Sequence, residues 1–83
     1  MTLHWFRSCP LCDEGKLYIY RNKTEDVPYL NCEECEWGWY DPREVDVRGT
    51  GFLTLAENFD AEVANINFIQ AKGWNVYNLK NST

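Results

Sequence analysis

The pattern of hydrophobic and polar residues predicts short β-strands in the first half of the chain. Four segments carry this pattern: residues 3–7, 16–21, 27–31 and 36–40. The second segment is rich in β-forming residues, and the polar stretch that follows it, residues 22–26, predicts a hairpin turn. In the fourth segment Trp37 and Trp39 fall on one face, because side chains of a strand alternate with a period of two.

The second half of the chain predicts one long helix over residues 54–73. Thr54 and Glu57 have the spacing of a capping box, and Gly73 stands where a glycine ends a helix. At about 100° per residue, five apolar side chains fall within an arc of about 120°. They are Leu55, Phe59, Val63, Ile66 and Ile69. We therefore expect a helix of about 18 residues that packs this stripe on the strands.

Two further segments have weaker patterns. Asp41, Pro42 and Glu44 have the form of a helix start, whereas residues 45–49 alternate like a strand. We expect a single turn or a short extended piece over residues 42–48. Residues 74–80 are expected to form a C-terminal strand or a tail that folds back across the helix.

The most specific pattern is formed by the four cysteines. Cys9 and Cys12 form one Cys-x-x-Cys pair, and Cys32 and Cys35 form a second pair 19 residues further on. This is the spacing of a four-thiolate zinc site, in which each pair supplies half of a tetrahedron with Zn–S distances of about 2.3 Å. Iron in the same cage and two disulfides are the alternatives. No signal-peptide pattern is visible, so we expect a cytoplasmic protein with reduced cysteines.

Two Cys-x-x-Cys knuckles joined by a hairpin resemble the zinc-ribbon family. The resemblance covers residues 4–41 and rests on the four cysteines with Pro10 and Gly15. Asp13 and Glu36 stand where a zinc ribbon usually carries glycine, directly after the second cysteine of each knuckle. The expected fold is a small, metal-stabilised α+β domain over residues 1–83, with a zinc-ribbon hairpin sheet packed against one C-terminal helix and one structural Zn²⁺ bound.

Composition and charge restrict the classes of function that the chain can have. The 83 residues are 45% hydrophobic and 16% aromatic, as in a globular domain, and no apolar run is long enough to span a membrane. A core this small usually needs an additional source of stability, such as a bound metal. The formal net charge is −5, and four thiolates with Zn²⁺ bring it to about −7. A protein that binds phosphates has the opposite balance, so we expect no nucleic-acid partner.

No catalytic arrangement emerges from the sequence, and we expect no enzyme. Four thiolates close a zinc site, whereas a catalytic zinc keeps one position open. His4 is the only histidine and is expected to be a surface or packing residue.

Three functions from different classes are consistent with these features. The first is a protein-interaction module that docks on a basic partner, in its narrowest form an inhibitor or immunity-type protein for a toxin nuclease. The second is a nucleic-acid-associated zinc ribbon, and the third is a rubredoxin-like iron electron carrier. The first is favoured because the chain is acidic. Its expected contact residues are Glu33, Glu34, Glu36, Phe68, Trp74 and Tyr77.

Overall fold

The computed structural model describes residues 3–82, and its main feature is an antiparallel sheet of seven strands. The strands are β1 (Leu3–Ser8), β2 (Lys16–Asn22), β3 (Val27–Cys32), β4 (Trp37–Trp39), β5 (Phe52–Leu53), β6 (Ala61–Val63) and β7 (Lys80–Ser82). Their order in the sheet is β5-β4-β3-β2-β1-β7, and β6 pairs with β2. The four strands predicted from the first half of the chain are present, each within one residue of the predicted bounds.

The hairpin of β2 and β3 is the centre of the sheet. Its register is unbroken from Leu17 opposite Cys32 to Asn22 opposite Val27. The side chain of Asn22 is buried and closes the turn, because its Oδ1 accepts hydrogen bonds from the backbone amides of Thr24 and Glu25 at 3.0 and 3.1 Å. An asparagine that bonds its own turn in this way favours a tight reversal. This hairpin brings the two cysteine pairs to the same end of the sheet.

Alternation along the central strands gives the sheet two different faces. One face holds the core, which combines Leu17 and Ile19 of β2, Leu30 and Cys32 of β3 and Trp39 of β4 with Cys9, Val45, Ala64, Ile69 and Trp74. Tyr18 and Tyr20 lie opposite Asn31 and Tyr29 and therefore belong to the other face. The core face includes two of the cysteines, so metal site and core form one buried unit.

The prediction of one long helix over residues 54–73 is wrong. The segment instead forms a 3₁₀ turn (Thr54–Ala56), strand β6 and a helix of six residues, α1 (Ile66–Ala71). The predicted stripe does not face the core as a unit, since Leu55 is 74% and Ile66 44% exposed while Ile69 is fully buried. The fold is therefore mainly an antiparallel sheet with short helical pieces.

Hydrogen bonds to the sheet explain this difference. The hydroxyl of Thr54, which the capping pattern assigned to a helix start, lies 2.8 Å from the carbonyl oxygen of Glu36. Strand β6 pairs along the free edge of β2, where sheet hydrogen bonds replace helical ones. The helix begins only at Ile66, and the preceding Asn65 caps it, since its Oδ1 accepts a hydrogen bond from the amide of Phe68 at 2.8 Å. Gly73, at φ 78°, ends it in the left-handed conformation.

The remaining segments are short. Pro42–Glu44 form a single 3₁₀ turn, and the side chain of Asp41 accepts from the amide of Arg43 at 2.9 Å, as the helix-start pattern predicts. After a third 3₁₀ turn (Trp74–Val76), the C-terminal strand β7 pairs with β1 rather than crossing a helix. Within residues 3–82, no helix has the length and apolar character needed to cross a membrane.

Candidate metal centre

The two knuckles bring the four cysteine sulfurs into one cluster. All four Sγ atoms lie within 4.8 Å of one another, with 3.7 Å between Cys9 and Cys35 and 3.5 Å between Cys12 and Cys32. A tetrahedron with Zn–S arms of about 2.3 Å has edges of about 3.8 Å. Cys9 and Cys32 are fully buried, and Cys12 and Cys35 are partly buried. The cluster can therefore hold one metal ion, and its four sulfur donors suit zinc.

Both knuckles contain the same turn. The amide of Asp13 donates to the carbonyl of Cys9 at 2.9 Å, and the amide of Glu36 donates to the carbonyl of Cys32 at 3.2 Å. Asp13 and Glu36 both have φ 61°, in the left-handed region that favours glycine. These are the positions where a zinc ribbon usually carries glycine. The chain thus keeps the turn and accepts the backbone cost of a side chain in each knuckle.

Replacing Asp13 by glycine is expected to stabilise the protein. Glycine has no Cβ to crowd the left-handed conformation, so D13G should raise the free energy of unfolding of the metal-loaded protein by about 0.5–1 kcal/mol. The neighbouring Glu14 is also exposed but has no positive φ. E14G is therefore the matched control and should lower the stability. Chemical denaturation measures both changes, and a loss of stability in D13G equal to that in E14G would contradict the expected turn strain.

The protein surroundings give the thiols of the metal-free cluster different acidities. Hydrogen bonds from the backbone amides of Glu14 and then Gly15 lower the pKa of Cys12 to about 7. Burial raises the pKa of Cys32 to about 12, although the amides of Glu34 and Cys35 each approach its Sγ at 3.4 Å. Burial also raises the pKa of Cys35. Of these three thiols, Cys12 therefore loses its proton most readily, whereas Cys32 keeps its proton at neutral pH and releases it when a metal binds.

Gly15 connects the two knuckles. Its carbonyl accepts a hydrogen bond from the amide of Cys9 at 2.8 Å, within the first knuckle. A Cβ at this position would lie 2.6 Å from Sγ of Cys32, in the second knuckle. No side chain fits there, so the close approach of the two knuckles requires glycine. The structure thus gives a steric reason for glycine at position 15, one of the residues on which the resemblance to zinc ribbons rests.

Two indoles lie beside the first knuckle. Trp37 and Trp39 line an apolar groove of about 330 Å³ together with Pro10, Leu11 and residues 45–50. Their Nε1 groups donate to the carbonyl and hydroxyl of Thr50 at 3.2 and 3.1 Å. Both rings thus lie on the face predicted from their alternation, and they hold the loop of residues 45–50 across β4.

The six residues predicted to contact a partner do not form one surface. Glu33 and Glu34 are exposed and Glu36 is half-buried, all three on the second knuckle. Phe68 lies between two cations of its own chain, with its ring centroid 5.0 Å from the guanidinium of Arg21 and 5.6 Å from Nζ of Lys72.

The other two aromatic residues belong to the core region. Trp74 is only 9% exposed, and the ring of Tyr77 packs edge-on against those of Phe6 and Trp74 at 5.9 and 6.1 Å. Trp74 offers too little free area to anchor a partner. The acidic and aromatic groups of the prediction therefore lie in separate parts of the fold, and the three glutamates remain together.

A second group of aromatic residues was not identified from the sequence. We call it the aromatic cluster: Tyr20, Tyr29, Tyr40, Phe52 and Phe59. It lies on the sheet face opposite the core, with Tyr29 in its centre. The alternation of Leu17 and Ile19 with Tyr18 and Tyr20 is the signal that could have indicated a strand with two occupied faces. Phe52 and Phe59 join the cluster from distant segments, and nothing in the sequence around them indicates this position.

The comparison with known proteins gives one partial match. No family profile matches the chain, and no solved structure matches it. An uncharacterised protein of Acanthamoeba polyphaga mimivirus is 43% identical over 42 residues. The match covers 46% of this chain and 34% of the viral protein, so the chain spans about a third of the relative's length. A match of this extent assigns no family.

Proposed function

We propose that the chain is a non-enzymatic, zinc-stapled module that docks on a basic protein partner. The observation that carries this proposal is the cluster of Glu33, Glu34 and Glu36 on the second knuckle, directly beside the cysteine cage. A metal-bound knuckle is a rigid mount for charged side chains, and a rigid mount lowers the entropy cost of docking.

A structural role for the metal is supported by the donor set. Four thiolates occupy all positions of a tetrahedral site and leave none for water or substrate. The same cage could hold iron, as in the rubredoxin-like alternative. Elemental analysis of protein purified without added metal identifies which of the two is bound. The colour is a second test, since zinc gives a colourless protein and iron a coloured one.

The distribution of ion pairs supports a basic partner. Among the described residues, the ion pairs use the carboxylates of Asp26, Asp41, Asp46 and Glu62. The three glutamates of the second knuckle are outside these pairs, and Glu33 and Glu34 are exposed. Their negative charge is therefore available to steer a positively charged partner. The same charges disfavour the approach of a phosphate backbone, which weighs against the nucleic-acid alternative.

The features of the second knuckle identify the proposed partner only by class, as a basic protein. A toxin nuclease is one member of this class, and only its positive charge favours it. The partial viral match adds nothing to that narrower assignment.

Cross-linking tests the proposal. The zinc-loaded chain is incubated in an extract of its source cells with a carbodiimide, which joins a carboxylate to a lysine amine, and the captured protein is identified and purified. We expect a basic protein whose association rate falls about tenfold or more as rising salt screens the interaction. The double variant E33K/E34K should lower the association rate and leave the dissociation rate nearly unchanged, because rim charges act mainly on encounter.

The matched control reverses two exposed carboxylates away from the second knuckle, Glu25 and Glu44. E25K/E44K changes the net charge by the same amount and should retain most of the association rate. An acidic partner, a salt-independent association rate, or an equal loss in both double variants would refute the proposal.

A further inference from the structure

The sheet face opposite the core carries the aromatic cluster. Ring centroids lie 5.4 Å apart for Tyr29 and Phe59 and 5.9 Å apart for Tyr29 and Tyr20, and Tyr40 stacks on Phe52 at 4.8 Å. Tyr29 is only 4% exposed and forms the floor, whereas Tyr40 is 46% exposed. The cluster is therefore partly exposed to solvent, chiefly at Tyr40.

A carboxylate borders the cluster on the same face. Oε2 of Glu36 lies 3.4 Å from the hydroxyl of Thr54, and that hydroxyl lies 2.8 Å from Oδ1 of Asn31. Asn31 follows Tyr29 by two residues in β3, so both side chains lie on this face. Glu36 is outside the ion pairs of residues 3–82. Burial, followed by the charge of Glu36, raises the pKa of Tyr20, which is consistent with this proximity.

We propose that the aromatic cluster and Glu36 bind the guanidinium groups of an arginine-containing segment of the partner. The inference rests on the proposed function and names the surface and the chemistry that it recognises. The faces of aromatic rings attract cations through their quadrupole, and a planar guanidinium can stack on a ring while it pairs with a carboxylate. An ammonium group lacks that planar fit, so arginine is preferred to lysine.

The opposite end of the same face sets the limit of this surface. Trp5 lies opposite Tyr18, and its ring is flanked by the ammonium groups of Lys16 and Lys80 at 4.9 and 5.1 Å from the centroid. The ring of Trp5 thus already makes cation–π contacts with two lysines of its own chain, and these lysines repel a basic segment. A guanidinium is directed to the end with Tyr29, Tyr40 and Glu36.

The apolar groove beside the first knuckle does not offer the same complementarity. It is lined by one acidic and one basic side chain, Asp46 and Arg48, and Asp46 is paired with Arg7 at 2.7 Å. Binding of the segment in this groove is therefore an alternative outcome of the experiment.

The test is an NMR titration of the zinc-loaded protein with an acetylated tetra-arginine peptide. We expect shifts of the amide signals of Tyr29, Tyr40 and Phe52. A tetra-lysine peptide should bind several-fold more weakly, and a tetra-citrulline peptide, which keeps the shape of arginine without its charge, at least tenfold more weakly.

Variants of Tyr40 separate the ring from the hydroxyl. The hydroxyl accepts a hydrogen bond from Nδ2 of Asn22 at 3.1 Å. Y40F keeps the ring and loses this bond, so its affinity for tetra-arginine should equal that of the wild type. Y40L removes the ring and should bind at least fivefold more weakly. E36Q should bind at least threefold more weakly, whereas E44Q, at an exposed carboxylate on the 42–44 turn, should not change the affinity.

Three results would overturn the inference: shifts confined to Pro10, Leu11 and residues 45–50, equal binding of the citrulline peptide, or equal affinities of Y40L and Y40F. The proposed function fails separately, if the captured partner is not basic. A basic partner whose affinity falls in E33K/E34K but not in Y40L would retain the proposed function and reject this surface.

Discussion

Removal of the metal is expected to unfold the chain. In zinc-finger peptides, structural zinc contributes an apparent binding free energy of about 10–16 kcal/mol, which is as large as the whole stability of a typical domain. Here Cys9 and Cys32 are fully buried members of the core cluster. A chelator would leave four thiols in or against a small core, with no metal to hold their sulfur atoms together. We therefore expect loss of the cooperative thermal transition and collapse of the dispersed amide spectrum.

The measurement needs a reducing agent throughout, so that oxidation of the cysteines does not mimic or mask metal loss. Circular dichroism and amide NMR are recorded before chelation, after it and after addition of one equivalent of zinc. Zinc should restore the fold, and magnesium, which prefers oxygen ligands, should not. A chelated protein that keeps its thermal transition and spectrum would show that the sheet is stable without the metal.

The cysteine cage and the strands around it could be predicted from the sequence because their determinants are local. Each Cys-x-x-Cys pair forms within one turn. The hairpin of β2 and β3 joins neighbouring segments, and the side chain of Asn22 stabilises the turn between them. The left-handed turns at Asp13 and Glu36 could not be predicted in this way, since neither residue signals a positive φ as glycine does.

The second half of the chain could not be predicted because distant partners decide its conformation. Ala61–Val63 pair with β2 about 40 residues earlier, and β7 pairs with β1 from the opposite end of the chain. Such pairings override a helical pattern in a segment that lacks strong packing of its own. The position of Phe68 between Arg21 and Lys72 has the same origin, since Arg21 lies on β2.

Replacing Gly15 by alanine is expected to weaken metal binding by about ten- to a hundredfold, the range found for residues that position metal ligands. Gly15 has no positive φ, so alanine is compatible with its backbone, and the effect is one of space. The added Cβ would lie 2.6 Å from Sγ of Cys32 and 3.0 Å from Cγ of Glu34. The exposed Glu34 side chain can move away. Cys32 cannot, because it is fully buried and is a metal ligand of the proposed cage.

Gly49 provides the matched control for this variant. It has φ 86°, and a Cβ there would have no neighbour within 4 Å. G49A should therefore cost about 1 kcal/mol of stability through backbone strain and leave the metal affinity unchanged. Competition with a chromophoric chelator measures the affinity of each variant, and the absorption spectrum of the cobalt-substituted protein reports the geometry of the four sulfurs. We expect G15A alone to change both. If G15A keeps the affinity and the cobalt spectrum of the wild type, the second knuckle is free to move away from the first, and the rigid mount on which the docking proposal depends does not exist.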